Sequence, residues 1–156
     1  MCGISGFLKL ENIKTVNLDR DDLLKMSRSL SHRGPDNNEV WVENNIYLGH
    51  TRLSILDLTE NGNQPMLSRS QRFVITFNGE IYNYNELKKN ILYENFSCRG
   101  NSDTEVFIEC VEQIGLEQTL FLTRGMFAFA IWDRRDKELV LGRDRIGEKP
   151  IYYGYV

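Results

Sequence analysis

The sequence lacks the features that mark several classes of protein. Its 156 residues include three cysteines, too few and too widely spaced for a disulfide framework, and no Cys-x-x-Cys pair that would suggest zinc. It has no apolar run of the roughly 20 residues that span a bilayer, and its first residues lack the basic region of a signal peptide. We therefore expect a cytoplasmic protein with no membrane partner and no metal site.

Positive charge is not in excess either. The chain carries 19 Lys and Arg against 22 Asp and Glu, a formal charge of -3, so the balance does not favour a nucleic-acid partner. No repeat, low-complexity tract or Pro/Gly-rich linker divides the sequence, and its three prolines lie in turn-like contexts. We therefore predict one domain over residues 1–156, long enough to bury a sizeable core.

Hydrophobic periodicity predicts short strands near both ends of the chain and helices between them. The predicted strands are 3–10, 39–42, 46–50, 72–78, 126–132, 138–142 and 151–154. One helix is predicted at 19–31. Two more begin at the capping-box sequences of Asn83 and Ser102, the second with Asp103 in its first turn. This order implies an α+β layered domain.

Cys2 follows the initiator methionine directly, and this position has a chemical consequence. Removal of Met1, which is expected because the second residue is small, places a thiol and a free α-amino group on one residue. An α-amine titrates near neutral pH, so its neutral form can take the thiol proton, and no histidine is required. If Met1 is retained, its peptide bond ties up the amine and the form should be inactive. Judged alone, Cys2 is more simply a small hydrophobic residue at the start of a strand.

Seven motifs in chain order point to a known family. They are CGISG at 2–6, HRGPD at 32–36, GHTRLSI at 49–55, NGEIYN at 78–83, SDTE at 102–105, GMFAFA at 125–130 and GRDRIGEKP at 142–150. At these positions the sequence resembles the glutamine-hydrolysing domain of the asparagine synthetases, which are class II (N-terminal nucleophile) glutamine amidotransferases. The resemblance covers essentially the whole chain. It implies a four-layer α/β/β/α sandwich in which two mostly antiparallel sheets are flanked by helices.

The resemblance also implies catalytic roles. Cys2 matches the nucleophile that attacks the side-chain amide of glutamine, releases ammonia and leaves a γ-glutamyl thioester for water to hydrolyse. Asn78 and Gly79 match the oxyanion hole, which the Asn78 amide and the Gly79 backbone N–H would form. Arg33 matches a loop near the nucleophile and is predicted to orient the terminus, although a structural Gly-Pro turn explains that loop nearly as well.

Further matches concern glutamine binding. Arg52 is implied to bind the α-carboxylate of glutamine, and Asp103 its α-ammonium, with the dipole at the helix start holding Asp103 ionised. The other implied lining residues are Leu53, Ser54, Ile55, Leu56 and Glu80. Taken singly, each motif also has a structural explanation: a surface ion pair for Arg52, a solvated acid for Asp103, and a type I′ hairpin turn for Asn78-Gly79.

The sequence departs from the family in its extent. Asparagine synthetases carry a second domain with a Ser-Gly-Gly-x-Asp-Ser phosphate loop, which is absent from this chain. We therefore expect a domain of a larger protein, with ATP and Mg²⁺ used only in the missing C-terminal synthetase domain and no cofactor in this one. That domain or subunit is the expected partner besides glutamine, and a homodimer is compatible with the resemblance. Two alternatives stay open: an acceptor other than aspartate, such as a sugar carboxylate, and a non-catalytic domain that binds glutamine.

Overall fold

Two antiparallel sheets form the centre of the computed structural model, which describes residues 1–10, 18–93 and 96–155. The first sheet has the order β1-β3-β2, and the second has the order β4-β5-β6-β7. Their strands are β1 (Gly3–Leu8), β2 (Asn37–Glu43), β3 (Ile46–Arg52), β4 (Met66–Leu67), β5 (Phe73–Ile81), β6 (Gly125–Asp133) and β7 (Glu138–Arg143).

Helices cover the outer faces of both sheets. Helix α1 (Arg20–Ser29) packs on the first sheet, and α3 (Asp103–Ile114) packs on β5 of the second with α2 (Tyr84–Ile91) beside it. Helix α4 (Leu116–Leu122) follows α3 directly, and a short 3₁₀ turn covers Glu60–Gly62. Among the described residues, no helix is both long enough and apolar enough to cross a bilayer.

The hydrophobic core has two parts, one on each face of the second sheet. The part between the two sheets contains buried residues of β3, β5 and β6: Ile46, Leu48, Val74, Ala130 and Trp132. The larger part lies between the second sheet and helices α2 and α3. Its centre is a group of aromatic rings with centroids 5.6 to 6.1 Å apart, contributed by Phe77, Phe107, Phe127 and Phe129. The layers therefore run helix, sheet, sheet, helix, which confirms the predicted sandwich.

The two-residue β4 and the short 3₁₀ turn were not predicted, and two larger differences from the sequence prediction follow. The strand predicted at 151–154 does not form, and the side chains of Tyr152 and Tyr153 there are 91% and 82% exposed. The residues are β-prone, but no neighbouring strand pairs with them in the described chain, so the prediction was wrong. Helix α4 was not predicted, because its seven residues start directly after the glycine that ends α3.

The two predicted helix caps have different outcomes. The Ser102 side chain accepts a hydrogen bond from the Thr104 N–H at 3.2 Å, so Ser102 is the N-cap as predicted. Glu105 does not complete the capping box, because its carboxylate accepts from the N–H groups of Arg99 and Gly100. Asn83 also precedes its helix, but it makes no side-chain cap there. Its amide instead donates to the Leu122 carbonyl and accepts from the Arg124 N–H, which ties the start of α2 to the end of α4. A tertiary contact thus replaces the predicted local one.

Candidate active site

One cavity collects residues that are far apart in the sequence. It is bordered by the start of β1, the segment after β3, the C-terminal part of β5 and the start of α3. The predicted site residues on its lining are Cys2, Arg52, Leu53, Ile55, Leu56, Asn78, Gly79, Glu80 and Asp103. The fold therefore brings together nearly all the residues that the motifs singled out.

Cys2 lies half-buried just before β1, where hydrogen bonds fix the chain. The Gly3 N–H donates to the Thr51 hydroxyl at 3.1 Å, and Arg33 Nε donates to the Cys2 carbonyl at 3.2 Å. The Leu53 N–H points at Cys2 Sγ from 3.4 Å. The thiol in turn donates to the Leu53 carbonyl at 3.7 Å, so both contacts hold Sγ against the residue that follows β3. Arg33 contacts the Cys2 backbone and does not line the cavity, which matches its predicted supporting position.

Met1 shares the cavity with Cys2. Its side chain contributes to the lining, and its Sδ lies 3.0 Å from the Nζ of Lys149. While Met1 is present, its peptide bond also removes the basic lone pair of the Cys2 nitrogen. Loss of Met1 therefore does two things at once: it creates the amine base and clears space beside the thiol.

Asn78 and Gly79 lie within β5 and do not form the hairpin turn that was the alternative explanation. The predicted strand ended at Asn78, whereas β5 continues to Ile81 because Gly79 and Ile81 pair with Phe127 and Gly125 of β6. The Asn78 side chain lines the cavity and makes no hydrogen bond to the described residues. Its amide is thus held in a strand and directed at the space beside Cys2.

The direction of the Gly79 N–H follows from its neighbours in the strand. The N–H groups of Phe77 and Ile81 point away from β6, towards Gln64 Oε1 at 2.6 Å and Asp103 Oδ2 at 2.8 Å. Alternate N–H groups in a strand point to the same edge, so the Gly79 N–H lies on this edge too, between them. Phe127, opposite Gly79, uses its own N–H and carbonyl with Asp144. The Gly79 N–H therefore faces the cavity.

Position 79 also requires glycine for a steric reason. A Cβ added there would collide with the Met126 carbonyl and the Phe127 Cα of the neighbouring strand. His50 fixes the same stretch of β5 from the other sheet, since its Nε2 lies 3.1 Å from the Phe77 carbonyl. Burial lowers the pKa of His50 to about 4, so the ring is neutral near pH 7 and its Nε2 donates this bond.

Arg52 is buried at the end of β3, and a loop surrounds its guanidinium. Nη1 donates to the Thr59 carbonyl and to Asn63 Oδ1, both at 2.7 Å, and Nη2 donates to the Asp57 carbonyl. No carboxylate pairs with it among the described residues, so the surface ion pair considered from the sequence does not form. The Nε–H and one Nη2 N–H have no partner in the described chain, and a guanidinium can present such a pair to a carboxylate as a fork.

Asp103 is the first residue of α3 and is buried. Its two oxygens accept from the N–H groups of Ile81 and Thr104, at 2.8 and 2.9 Å. Burial raises the pKa of Asp103 above the usual range and outweighs the lowering by these two bonds, while Glu80 nearby raises it further. The bond from the Thr104 N–H at the helix start lowers the pKa of Asp103, but desolvation is the larger effect. The solvated-acid alternative is excluded, because Asp103 is buried.

Ser54 stands apart from the other predicted residues. Its N–H donates to Asp36 Oδ2 at 2.7 Å, and it lines a neighbouring cleft rather than the cavity of Cys2. Conversely, the structure adds lining residues to which the sequence analysis gave no role in this cavity: Asp57, Gly62 and Gln64, which lie outside the motifs, and Met126 and Lys149, which lie within two of them. Their positions depend on contacts between distant segments, which the sequence pattern does not show. Within the described ranges, no group of three or more His, Cys, Asp or Glu side chains has an arrangement that could hold a metal ion.

The fold and this cavity agree with what comparison with protein families shows. The family described as glutamine amidotransferase domain matches residues 1–156, the whole chain. The chain belongs to this family, whose members are enzymes or enzyme domains that use the amide of glutamine.

Individual proteins of known name that resemble this chain are asparagine synthetases. The chain is 39% identical over 155 residues to asparagine synthetase (glutamine-hydrolyzing) 2 of Oryza sativa subsp. japonica, covering 99% of this chain and 25% of that protein. It is 34% identical over 163 residues to asparagine synthetase (glutamine-hydrolyzing) 3 of Bacillus subtilis, covering 98% of this chain and 25% of that protein. The chain thus spans about a quarter of the length of these curated relatives.

Proposed function

We propose that this domain hydrolyses the side-chain amide of glutamine and is the ammonia-releasing part of a glutamine-hydrolysing asparagine synthetase. One observation carries the proposal. A single cavity combines a thiol at the second residue, two donors on β5 that have no partner among the described residues, and one buried group of each charge for the two ends of an amino acid. The names of the relatives support the same reaction.

In the proposed first step, Cys2 acts as nucleophile after Met1 has been removed. The Cys2 α-amine takes the thiol proton, and sulfur attacks the amide carbon of the glutamine side chain. The carbonyl oxygen becomes an oxyanion, which the Asn78 amide and the Gly79 N–H stabilise. The C–N bond then breaks, the α-ammonium returns its proton to the leaving nitrogen, and ammonia departs from a γ-glutamyl thioester.

The second step regenerates the enzyme. The neutral α-amine takes a proton from water, and the resulting hydroxide attacks the thioester carbonyl at the same oxyanion site. The C–S bond breaks, glutamate leaves, and the proton returns to Cys2. Throughout both steps, Arg52 holds the α-carboxylate and Asp103 holds the α-ammonium, so the side-chain amide is kept against Cys2.

The wider reaction is proposed from the relatives. Ammonia would pass to a C-terminal synthetase domain or subunit outside this chain, where ATP and Mg²⁺ act and aspartate is the acceptor. All three cysteines, Cys2, Cys98 and Cys110, are unpaired. Free thiols are typical of compartments in which disulfides are kept reduced, which supports a cytoplasmic location.

The proposal is tested by measuring ammonia and glutamate released from glutamine by Met1-processed protein. We expect equal amounts of both products, and a loss of about 10⁴-fold or more in kcat for Cys2→Ala. Cys98→Ala is the matched control, because Cys98 is a second half-buried thiol outside the cavity and its variant should keep near-normal turnover. Unchanged hydrolysis by Cys2→Ala would overturn the nucleophile. Tight glutamine binding without turnover by the processed protein would support a non-catalytic domain instead.

The acceptor is tested separately with the intact protein that carries this chain. Glutamine, ATP, Mg²⁺ and aspartate together should yield asparagine, and replacing aspartate with a sugar carboxylate should yield no amide. Amidation of the sugar acid in place of aspartate would show that the domain serves a different synthetase.

A further inference from the structure

We propose that Asp57 is a positioning residue that aims Arg52 at the α-carboxylate of glutamine. The inference rests on the proposed function and adds to it a residue whose carboxylate is bonded to the protein on both oxygens. Asp57 is 5% exposed and belongs to the loop that follows β3. It has no role in any of the motifs described above.

The first step concerns the bonds that hold Arg52. All three of its hydrogen-bonded N–H groups donate to residues 57–63, two of them to the backbone carbonyls of Asp57 and Thr59. Arg52 therefore has the orientation that this loop gives it. Any movement of the loop turns the two N–H groups that remain for a substrate.

The second step concerns what holds the loop. The Asp57 carboxylate accepts bonds in two directions. Its Oδ1 accepts from the Thr59 N–H at 2.8 Å and from the Thr59 hydroxyl at 2.6 Å, which closes the turn under Arg52. Its Oδ2 accepts from the Asn101 N–H at 2.6 Å, which joins the loop to the segment just before α3. The Thr59 hydroxyl is the main cause that lowers the pKa of Asp57 below its usual range, so the carboxylate is ionised at neutral pH.

Two glycines show how closely this arrangement is packed. A Cβ at Gly62 would collide with Arg52 Nη2, and a Cβ at Gly100 would collide with Asp57 Oδ2. A second bond across the same gap, from Asn61 Nδ2 to the Arg99 carbonyl at 2.9 Å, runs beside that of Asp57. Asp57 thus connects the loop around Arg52 with the segment that leads to Asp103, so both charged ends of the substrate site share one support.

The test uses Asp57→Asn in Met1-processed protein, because asparagine keeps the volume but cannot accept on both sides. If its oxygen keeps Thr59, its NH₂ faces the Asn101 N–H, and one link is lost. We expect KM for glutamine to rise about 10-fold with kcat within about twofold, since hydrogen bonds to a charged group are worth about that much.

A second substrate separates positioning from general damage. Glutaminamide carries a neutral amide in place of the α-carboxylate, so it does not use the fork of Arg52. The wild-type ratio of kcat/KM for glutamine over glutaminamide should be large, and Asp57→Asn should lower it about 10-fold by affecting glutamine alone. Thr59→Val removes the hydroxyl that donates to Asp57 and accepts from the Asn61 N–H but keeps the Thr59 N–H bond to Asp57. It should lower the ratio less and serves if Asp57→Asn does not fold.

Glu109→Gln is the matched control. Glu109 is also a buried carboxylate, 2% exposed, that holds a loop to α3 by accepting the Arg69 N–H at 2.6 Å, but it lies outside the cavity. The Glu109→Gln variant should have a lower melting temperature and keep the wild-type ratio of kcat/KM for glutamine over glutaminamide.

The outcomes distinguish this inference from the proposed function. A wild-type protein that does not prefer glutamine to glutaminamide overturns the assignment of Arg52, and the inference with it. A wild-type preference that survives in both Asp57→Asn and Thr59→Val overturns the role of Asp57 alone. An equal fall of the ratio in Glu109→Gln shows general destabilisation and also overturns it.

Discussion

The two ends of the cavity are built in opposite ways. At the reaction end, defined by Cys2, Asn78 and Gly79, the residues lie in or beside strands, and the two oxyanion donors have no partner among the described residues. At the recognition end, defined by Arg52 and Asp103, the groups are charged and buried, and the protein already supplies most of their hydrogen bonds.

The difference reflects what each end has to stabilise. Charge at the reaction end exists only during the reaction, so donors that are already held in place need no reorganisation when the oxyanion forms. Charge at the recognition end is needed before any reaction begins, and a buried charge without hydrogen bonds would be strongly unfavourable. The recognition end therefore depends on a supporting network, whereas the reaction end depends on the rigidity of the sheet.

Asn78→Ala should show the difference between the two ends of the cavity most clearly, because it should affect kcat and not KM. Removing one oxyanion donor is expected to lower kcat about 10²- to 10³-fold with little change in KM for glutamine, because the lost bond exists only in the transition state. Steady-state kinetics measures both constants. The control is Asn38→Ala, an exposed asparagine of β2 that bonds Ser27 on α1, and it should leave both unchanged. A raised KM for glutamine with a normal kcat would show that Asn78 binds the substrate and does not stabilise the oxyanion.

Arg52→Lys tests the other end with the charge kept. Lysine cannot reproduce the planar fork or satisfy the surrounding carbonyls, so KM for glutamine should rise about 10- to 100-fold while kcat changes little. Arg72→Lys makes the same exchange at an arginine that grips Asp133 away from the cavity, and it should change only the melting temperature. If instead Arg52→Lys lowers kcat and spares KM, the contrast between the ends fails.

The smallest expected effect is a pH dependence of binding. Burial raises the pKa of Asp103 in the free protein, and the ammonium of bound glutamine favours the ionised form. Binding therefore releases a proton, and affinity should be greatest above that raised pKa and fall by up to about 10-fold per pH unit below it. Calorimetric titration of Met1-processed Cys2→Ala with glutamine, from about pH 4 to about pH 8, measures this without turnover.

Other charged groups on the cavity lining could also change the affinity with pH, so the titration needs a control ligand. Glu80 faces Asp103 from β5, and Arg52 and Lys149 lie on the same lining. N-acetylglutamine, which lacks the ammonium, should show no gain in affinity as Asp103 ionises. An affinity for glutamine that stays flat over the whole range would remove Asp103 from the ammonium site.

The residues of the reaction end could be predicted from the sequence more completely than the residues that support the recognition end. Cys2 could be singled out because its position next to Met1 is itself the chemical signal. Asn78-Gly79 could be named from the motif, but whether it formed a turn or a strand depended on pairing with β6, whose residues come more than 40 positions later. Asp57 could not be predicted, because its importance lies in a bond to Asn101, 44 residues away.

The same limit explains the errors in the fold. Tyr152 and Tyr153 have strand propensity, but a strand also needs a partner, and propensity does not report one. The bond at the helix start lowers the pKa of Asp103, as the local pattern indicates, but burial by the surrounding layers has the larger effect on that pKa. Local signals therefore predicted most elements, whereas the pKa of a buried group and the support of a loop depend on the assembled molecule.

The edge of β5 has a consequence for association as well as for catalysis. Strand β4 is only two residues long, so pairing on that side stops before the Phe77 to Ile81 stretch. An unpaired strand edge invites another chain to add a strand, which is a common route to aggregation. Here a side-chain amide from Gln64 and a carboxylate from Asp103 occupy the edge on either side of Gly79. The opening that remains is one residue wide, enough to admit a small oxygen atom and too narrow for a foreign backbone.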